Sequence, residues 1–145
     1  MAKIYLTILF LFSIVLYSQG QDIDFKEVII ECLDLNSLDK ETIIGTNDEY
    51  KEIIKNKSPY SNCDSDSHPE IDFNENILIG FIIQAGGCSP PKHKIKVYKS
   101  DNKVVFEVNT SQNGACRMAF QKMVWVTISK EFSKQISFVQ TYNQN

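Results

Sequence analysis

Apolar and polar residues alternate strictly along much of this chain, and the departures from alternation carry as much information as the pattern itself. The longest apolar run outside the N-terminus is Ile77-Leu-Ile-Gly-Phe-Ile-Ile-Gln84. It is apolar at both parities, which predicts a central strand covered on both faces. Gly80 inside it marks a bulge or a close approach. Lys94-Ile-Lys-Val-Tyr-Lys99 and Val104-Val-Phe-Glu-Val-Asn109 alternate cleanly on either side of Ser100-Asp101-Asn102. Asp101 and Asn102 tolerate the positive φ of a two-residue hairpin turn. With those two residues as the turn, paired positions sum to 203. Val97 then faces Phe106, and Ile95 faces Val108, on one side. Lys96 faces Glu107 on the other, and a slip of one residue would reverse every side chain.

In chain order, Gln21–Asp24 reads as a loose terminus. Phe25–Leu33, with Val28-Ile29-Ile30 at its centre, reads as a first strand. Asp34–Lys40 is polar and turn-like, and Glu41–Gly45 is a short strand. A helix comes next with a capping box, Thr46 as N-cap and Glu49 three residues on. Tyr50, Ile53 and Ile54 share one face of it, and Lys55-Asn-Lys57 with Pro59 ends it. Ser58–Asn76 is a long polar loop in which Ile71 and Phe73 tuck under the next strand. Met118–Ser129 alternates again, with Phe120, Val124, Val126 and Ile128 on one side and Met123 and Trp125 on the other. Trp125 and Met123 read as a second core layer beneath the helix in preference to an exposed recognition patch. Ile136, Phe138 and Tyr142 mark a final strand. The expected fold is α+β and mainly β: six or seven strands in a curved antiparallel sheet or a partly closed barrel, with one short helix.

Residues 1–20 read as a signal peptide, with Lys3 as the positive region and Ile4–Leu16 as the apolar region. Ser18 and Gly20 are the small residues before a cut at Gln21. The apolar run is too short to span a bilayer comfortably. Residues 21–145 then form one exported domain, periplasmic or secreted, and loss of Lys3 takes the net charge from −3 to −4. Its lysines are dispersed and Arg117 is the sole arginine, so nothing resembles a nucleic-acid footprint.

The four cysteines, Cys32, Cys63, Cys88 and Cys116, all lie in that domain. An even count in an exported chain favours disulfides, with three connectivities open. The hairpin arithmetic carries Cys88 to within one residue of Cys116, which favours that pair and leaves Cys32 with Cys63. Each closure would stabilise by about 3–4 kcal/mol in the chain-entropy model.

Two spacings, Cys63-x4-His68 and Cys88-x4-His93, offer four zinc ligands between them. The spacing is longer than a zinc knuckle and competes with oxidation. Asp64-Ser-Asp66 lacks the glycine and bidentate glutamate of a calcium loop. No nucleophile elbow or phosphate cradle is present. The expectation is therefore a non-catalytic domain without metal or cofactor. The alternative is a small secreted hydrolase or metal-dependent protein using His68, His93 and loop acids.

The order of motifs resembles the C-terminal domain of the PrcB-type, protease-complex-associated bacterial proteins. The residues that carry the resemblance are Asn47-Asp-Glu-Tyr50, Pro69-Glu-Ile-Asp-Phe73, the apolar strand ending in Gly86-Gly87, the hairpin, and Trp125-Val-Thr-Ile-Ser-Lys130. The resemblance covers roughly Glu41 to Val139. Cys88 stands where that family commonly has an aromatic. The resemblance implies an extracytoplasmic domain that binds a protein partner, such as a component of a protease complex, and brings no catalytic residues.

The turn Ala85–Lys92 reads either as the contact for a partner or as a connector that merely turns the chain between strands. Gly86 and Gly87 permit close backbone approach, while Pro90 and Pro91 fix two φ angles. Ser89, Lys92 and nearby Arg117 supply polar contacts. A turn pinned by Cys88–Cys116 would lose little entropy on binding.

Overall fold

The computed structural model describes residues 20–56, 68–112 and 114–143. Residues 1–19, within the expected signal peptide, and most of the polar loop, including Cys63, Asp64 and Asp66, lie outside the described residues.

Among the described residues eight strands form two four-stranded sheets. In chain order they are β1 (Gln21–Asp22), β2 (Lys26–Val28), β3 (Glu41–Ile44), β4 (Asn76–Gly87), β5 (Lys92–Ser100), β6 (Lys103–Ser111), β7 (Met118–Ser129) and β8 (Ile136–Asn143). One sheet has the order β1-β5-β6-β8 and the other β2-β7-β4-β3. All pairings are antiparallel except β6 with β8. The sheets are stacked and do not close into a barrel. The helix α1 (Asn47–Lys55) lies on the outer face of the second sheet.

The doubly apolar run explains this layering. Odd positions of β4, Ile77, Ile79, Phe81 and Ile83, face the first sheet, where they meet Val97, Phe106 and Val108. Even positions, Leu78 and Ile82, face the helix with Met123, Trp125, Ile44 and Tyr50. β7 splits by parity in the same way, with Val124, Val126 and Ile128 on the inner side. The expected second layer is thus real, and Trp125 is 1% exposed within it. Phe73 is buried there and Ile71 packs against it, as the loop pattern indicates.

The hairpin register is as derived: Ile95 pairs with Val108, Lys96 with Glu107 and Val97 with Phe106. Asp101 takes φ 52° at the turn. The helix start is also as derived. Glu49 N–H donates to Thr46 Oγ1 at 3.3 Å, while Glu49 Oε2 accepts from the backbone N–H groups of Gly45 (2.9 Å) and Thr46 (3.0 Å).

The structure departs from expectation at two strands and decides between the two roles expected of Gly80. The first strand stops at Val28 rather than running to Leu33. Ile29 is 75% exposed, and Cys32 has φ 69°, which no strand accommodates. The β-branched run therefore leaves the sheet edge, and Ile30 and Leu33 pack under the chain beside α1. Gln21–Asp22 is not loose but pairs with β5, and Ile23 is buried behind it with its N–H donated to Val97 O at 2.9 Å. Gly80 marks a close approach and not a bulge, because the β4–β7 register runs unbroken from Asn76↔Ser129 to Gly87↔Met118. A Cβ there would collide with the Trp125 ring and Met123 Cε.

Candidate functional site

The turn after β4 is held by a disulfide between Cys88 and Cys116, with Cα atoms 4.7 Å apart. This is the pairing that the hairpin arithmetic favours. Cys32 is also disulfide-bonded, and its expected partner, Cys63, lies outside the described residues. Gly114 makes the bridge possible. Its φ is +79°, and a Cβ there would fall 2.5 Å from Cys88 Sγ. Sequence reading missed Gly114; its one signal is a glycine two residues before a cysteine.

The residues of the expected site divide into two groups. Gly87 (φ 151°) and Pro91 are buried and shape the turn. Pro90, Lys92 and Arg117 are exposed, and Gly86 and Ser89 are partly so. A Cβ on Gly86 would make only an ordinary 3.6 Å contact with Met118 O, so sterics do not require glycine there. Its interest lies in its backbone. β3 pairs with β4 only from Leu78 to Phe81, and Ile82 N–H donates to Lys40 O at 2.9 Å. Beyond that point the β3-side edge of β4 is unpaired by any strand among the described residues. Alternation along the ladder aims the backbone groups of Gln84 and Gly86 at this open edge.

Two side chains from the other sheet occupy the first position. Gln140 Nε2 and Tyr142 OH both donate to Gln84 O, each at 3.3 Å. Gln140 Nε2 also lies 3.5 Å from the Oγ1 of fully buried Thr110. Gly86, one step on, has no hydrogen-bond partner at this edge among the described residues. It opens into a groove of about 700 Å³ lined by the ends of β4, β7 and β8 with Gln112. Phe120 and the exposed ring of Tyr142 supply its apolar surface, and no charged residue lines it. Lys92 and Arg117 stand on the adjoining turn and strand start as cations.

The four-ligand zinc set loses one member. Cys88 is committed to the disulfide, so it supplies no thiolate. His93 is not in a surface loop; it sits on β5, with Nε2 3.2 Å from Glu27 Oε1 on β2, bridging the two sheets. Among the described residues no group of His, Cys, Asp and Glu is arranged to hold a metal ion. A second cavity, about 640 Å³, lies at the β2 edge and mixes four carboxylates, Asp24, Glu27, Glu70 and Asp72, with exposed Phe25 and Ile29.

The motif residues behind the family resemblance come together, but as structure. Tyr50 OH donates to Pro69 O at 3.0 Å, and its ring lies 5.6 Å from that of Phe73. Burial raises the Tyr50 pKa, which keeps the phenol a donor. Lys130 Nζ donates to Phe73 O at 3.0 Å. No family model matches the chain, and no curated protein or solved structure matches it either. No helix among the described residues is long and apolar enough to cross a membrane.

Proposed function

We propose that this chain is an exported, non-catalytic binding module that takes a protein partner at the end of the sandwich formed by the Ala85–Lys92 turn and the adjoining groove. The observation that carries the reading is the unpaired Gly86 backbone beside a disulfide-pinned turn. A free N–H and C=O at a strand edge bind an extended segment through main-chain hydrogen bonds. The disulfide and the proline pair hold the turn, so binding costs little ordering entropy. The uncharged lining, with Phe120 and Tyr142, favours a partner segment of apolar and amide character. Lys92 and Arg117 favour an acidic flank on it. Disulfide use fits an oxidising compartment. The partner class is a subunit of an envelope or secreted protease complex, as the motif resemblance implies.

A photo-crosslinking residue at Ala119, which is exposed and lines the groove, tests the reading. In the native envelope fraction it is expected to give a discrete covalent adduct that the same residue at Asn102, on the hairpin turn, does not. Ala119→Trp is expected to lower capture by about tenfold or more, a loss of about 1.4 kcal/mol, with an unchanged melt. Equal crosslinking from both positions, or full capture by a folded Ala119→Trp protein, overturns the site.

A further inference from the structure

The four sheet edges are not alike. β1 has two residues, β2 three and β3 four, and each includes a charged residue, Asp22, Lys26 and Glu27, or Glu41. Short length and charge are the usual protections against edge pairing. β8 has neither. It runs eight residues, Ile136-Ser-Phe-Val-Gln-Thr-Tyr-Asn143, with no charge, proline or glycine. Among the described residues it pairs with β6 on one side and with no strand on the other.

Register fixes which backbone groups that edge offers. Val104 N–H donates to Gln135 O at 3.1 Å, and Val104 is the register partner of Ile136. In a parallel ladder this directs the backbone groups of Ser137, Val139 and Thr141 toward β6. Those of Ile136, Phe138, Gln140 and Tyr142 face the open edge. The side chains of Ile136 and Phe138 point into the core yet remain partly exposed, so the core itself is open along this side. On the outer face Val139, at the middle of the strand, is 38% exposed.

We infer that β8 is a self-association edge: a second copy of this chain pairs with it antiparallel, about a two-fold axis at Val139, and joins two four-stranded sheets into one of eight. The strand's own sequence identifies the occupant. A two-fold pair sets each residue against one of the same strand, so any charge near the axis would face itself or lie close to its copy. A strand without charges is free of that penalty, whereas an edge that selects a different partner gains from complementary charge. With Val139 on the axis, Phe138 lies opposite Gln140 and Ile136 opposite Tyr142. Every open N–H and C=O between them is then paired, and the partly exposed core side chains are covered. Tyr142 and Asn143 of β8 also line the Gly86 groove, whereas Val139 does not, so variants at Val139 test the association apart from partner capture there.

Sedimentation equilibrium of the protein with intact disulfides tests the inference. The wild-type chain is expected to dimerise with a Kd between about 1 µM and 1 mM, as a single edge pair allows. Val139→Lys and Val139→Glu, which alter an exposed outer-face position, are each expected to weaken dimerisation by more than about tenfold, because like charges then face each other across the axis. Far-ultraviolet circular dichroism checks that both remain folded. An equimolar mixture is expected to recover a heterodimer at least as tight as the wild type. A wild-type monomer throughout that range overturns the inference, as does a dimer indifferent to both variants. So does a mixture that stays monomeric while each variant is folded.

Discussion

At the scale of single residues, Gly80 and Gly114 are both required because a specific side chain fills the space where a Cβ would stand. Gly114 admits the Cys88 sulfur, and Gly80 admits the Trp125 indole and the end of Met123. Gly80→Ala is therefore expected to destabilise by about 1–3 kcal/mol through overpacking. The urea midpoint measures it, and Met123→Ala in the same background should recover part of the loss, because the two sites share that space. Recovery distinguishes crowding from a general intolerance of substitution in β4. Sequence reading reached Gly80 because a glycine in a doubly apolar strand is conspicuous. It did not reach Gly114, whose need arises from a sulfur far back in the chain, on Cys88. The same limit applies to Trp125, whose indole N–H is buried without a partner among the described residues. Nothing in the local pattern signals that cost.

At the scale of elements, α1 illustrates local physics that a sequence states in full. Nine residues cannot hold a helix alone, so its cap and its packed stripe must act together. The Glu49 carboxylate has its pKa lowered, first by the Gly45 N–H and then by its contacts with Thr46. A depressed acid stabilises the fold above its unfolded pKa and loses that contribution as pH falls through the folded value. Glu49→Ala is therefore expected to cost about 1 kcal/mol at neutral pH, in the range of cap losses. The difference from wild type should shrink as pH drops through the ordinary carboxylate range near about 4 and below. Thermal melts from neutral pH down into that range measure this; a gap that stays constant would show that the carboxylate charge is not the agent. β2 illustrates the opposite case. Val28-Ile29-Ile30 has strand propensity throughout, but pairing stops at Val28↔Trp125 although β7 runs on to Met118, and Cys32 at φ 69° turns the chain away.

At the scale of the whole molecule, β4 joins three layers, and Phe81 is its junction with the first sheet. Its ring stacks on Phe138 at 5.7 Å and meets Phe106 edge-on at 6.4 Å, while Lys40 Nζ lies 5.3 Å from the ring centre. Phe81→Ala is expected to cost about 3–5 kcal/mol, the range for a buried aromatic truncated in a packed core. Denaturant titration with an unchanged slope would confirm a loss of stability alone. A midpoint shift worth less than about 0.5 kcal/mol would remove β4 from the centre of the fold. The polar latch from β8 to Gln84 O belongs to this scale as well. It crosses from one sheet to the other and leaves Gly86 as the first uncovered position.

Read alone, the residues dictate the periodicities and their direct consequences: the hairpin register, the helix with its cap, the two faces of β4 and β7, and the approach of Cys88 to Cys116. Each depends on neighbours a few positions apart, or on one turn that carries an alternation of period two across many residues. The division into two sheets, the parallel β6–β8 pair and the short β1 edge were set by packing between distant segments, because alternation specifies faces but not which strand lies alongside. The site shows the same boundary. Its turn was legible as Gly-Gly-Cys-Ser-Pro-Pro, a local conformational signal. The groove beside it was not, since it exists because β3 pairs no further along β4 than Phe81 and β8 arrives from the opposite sheet.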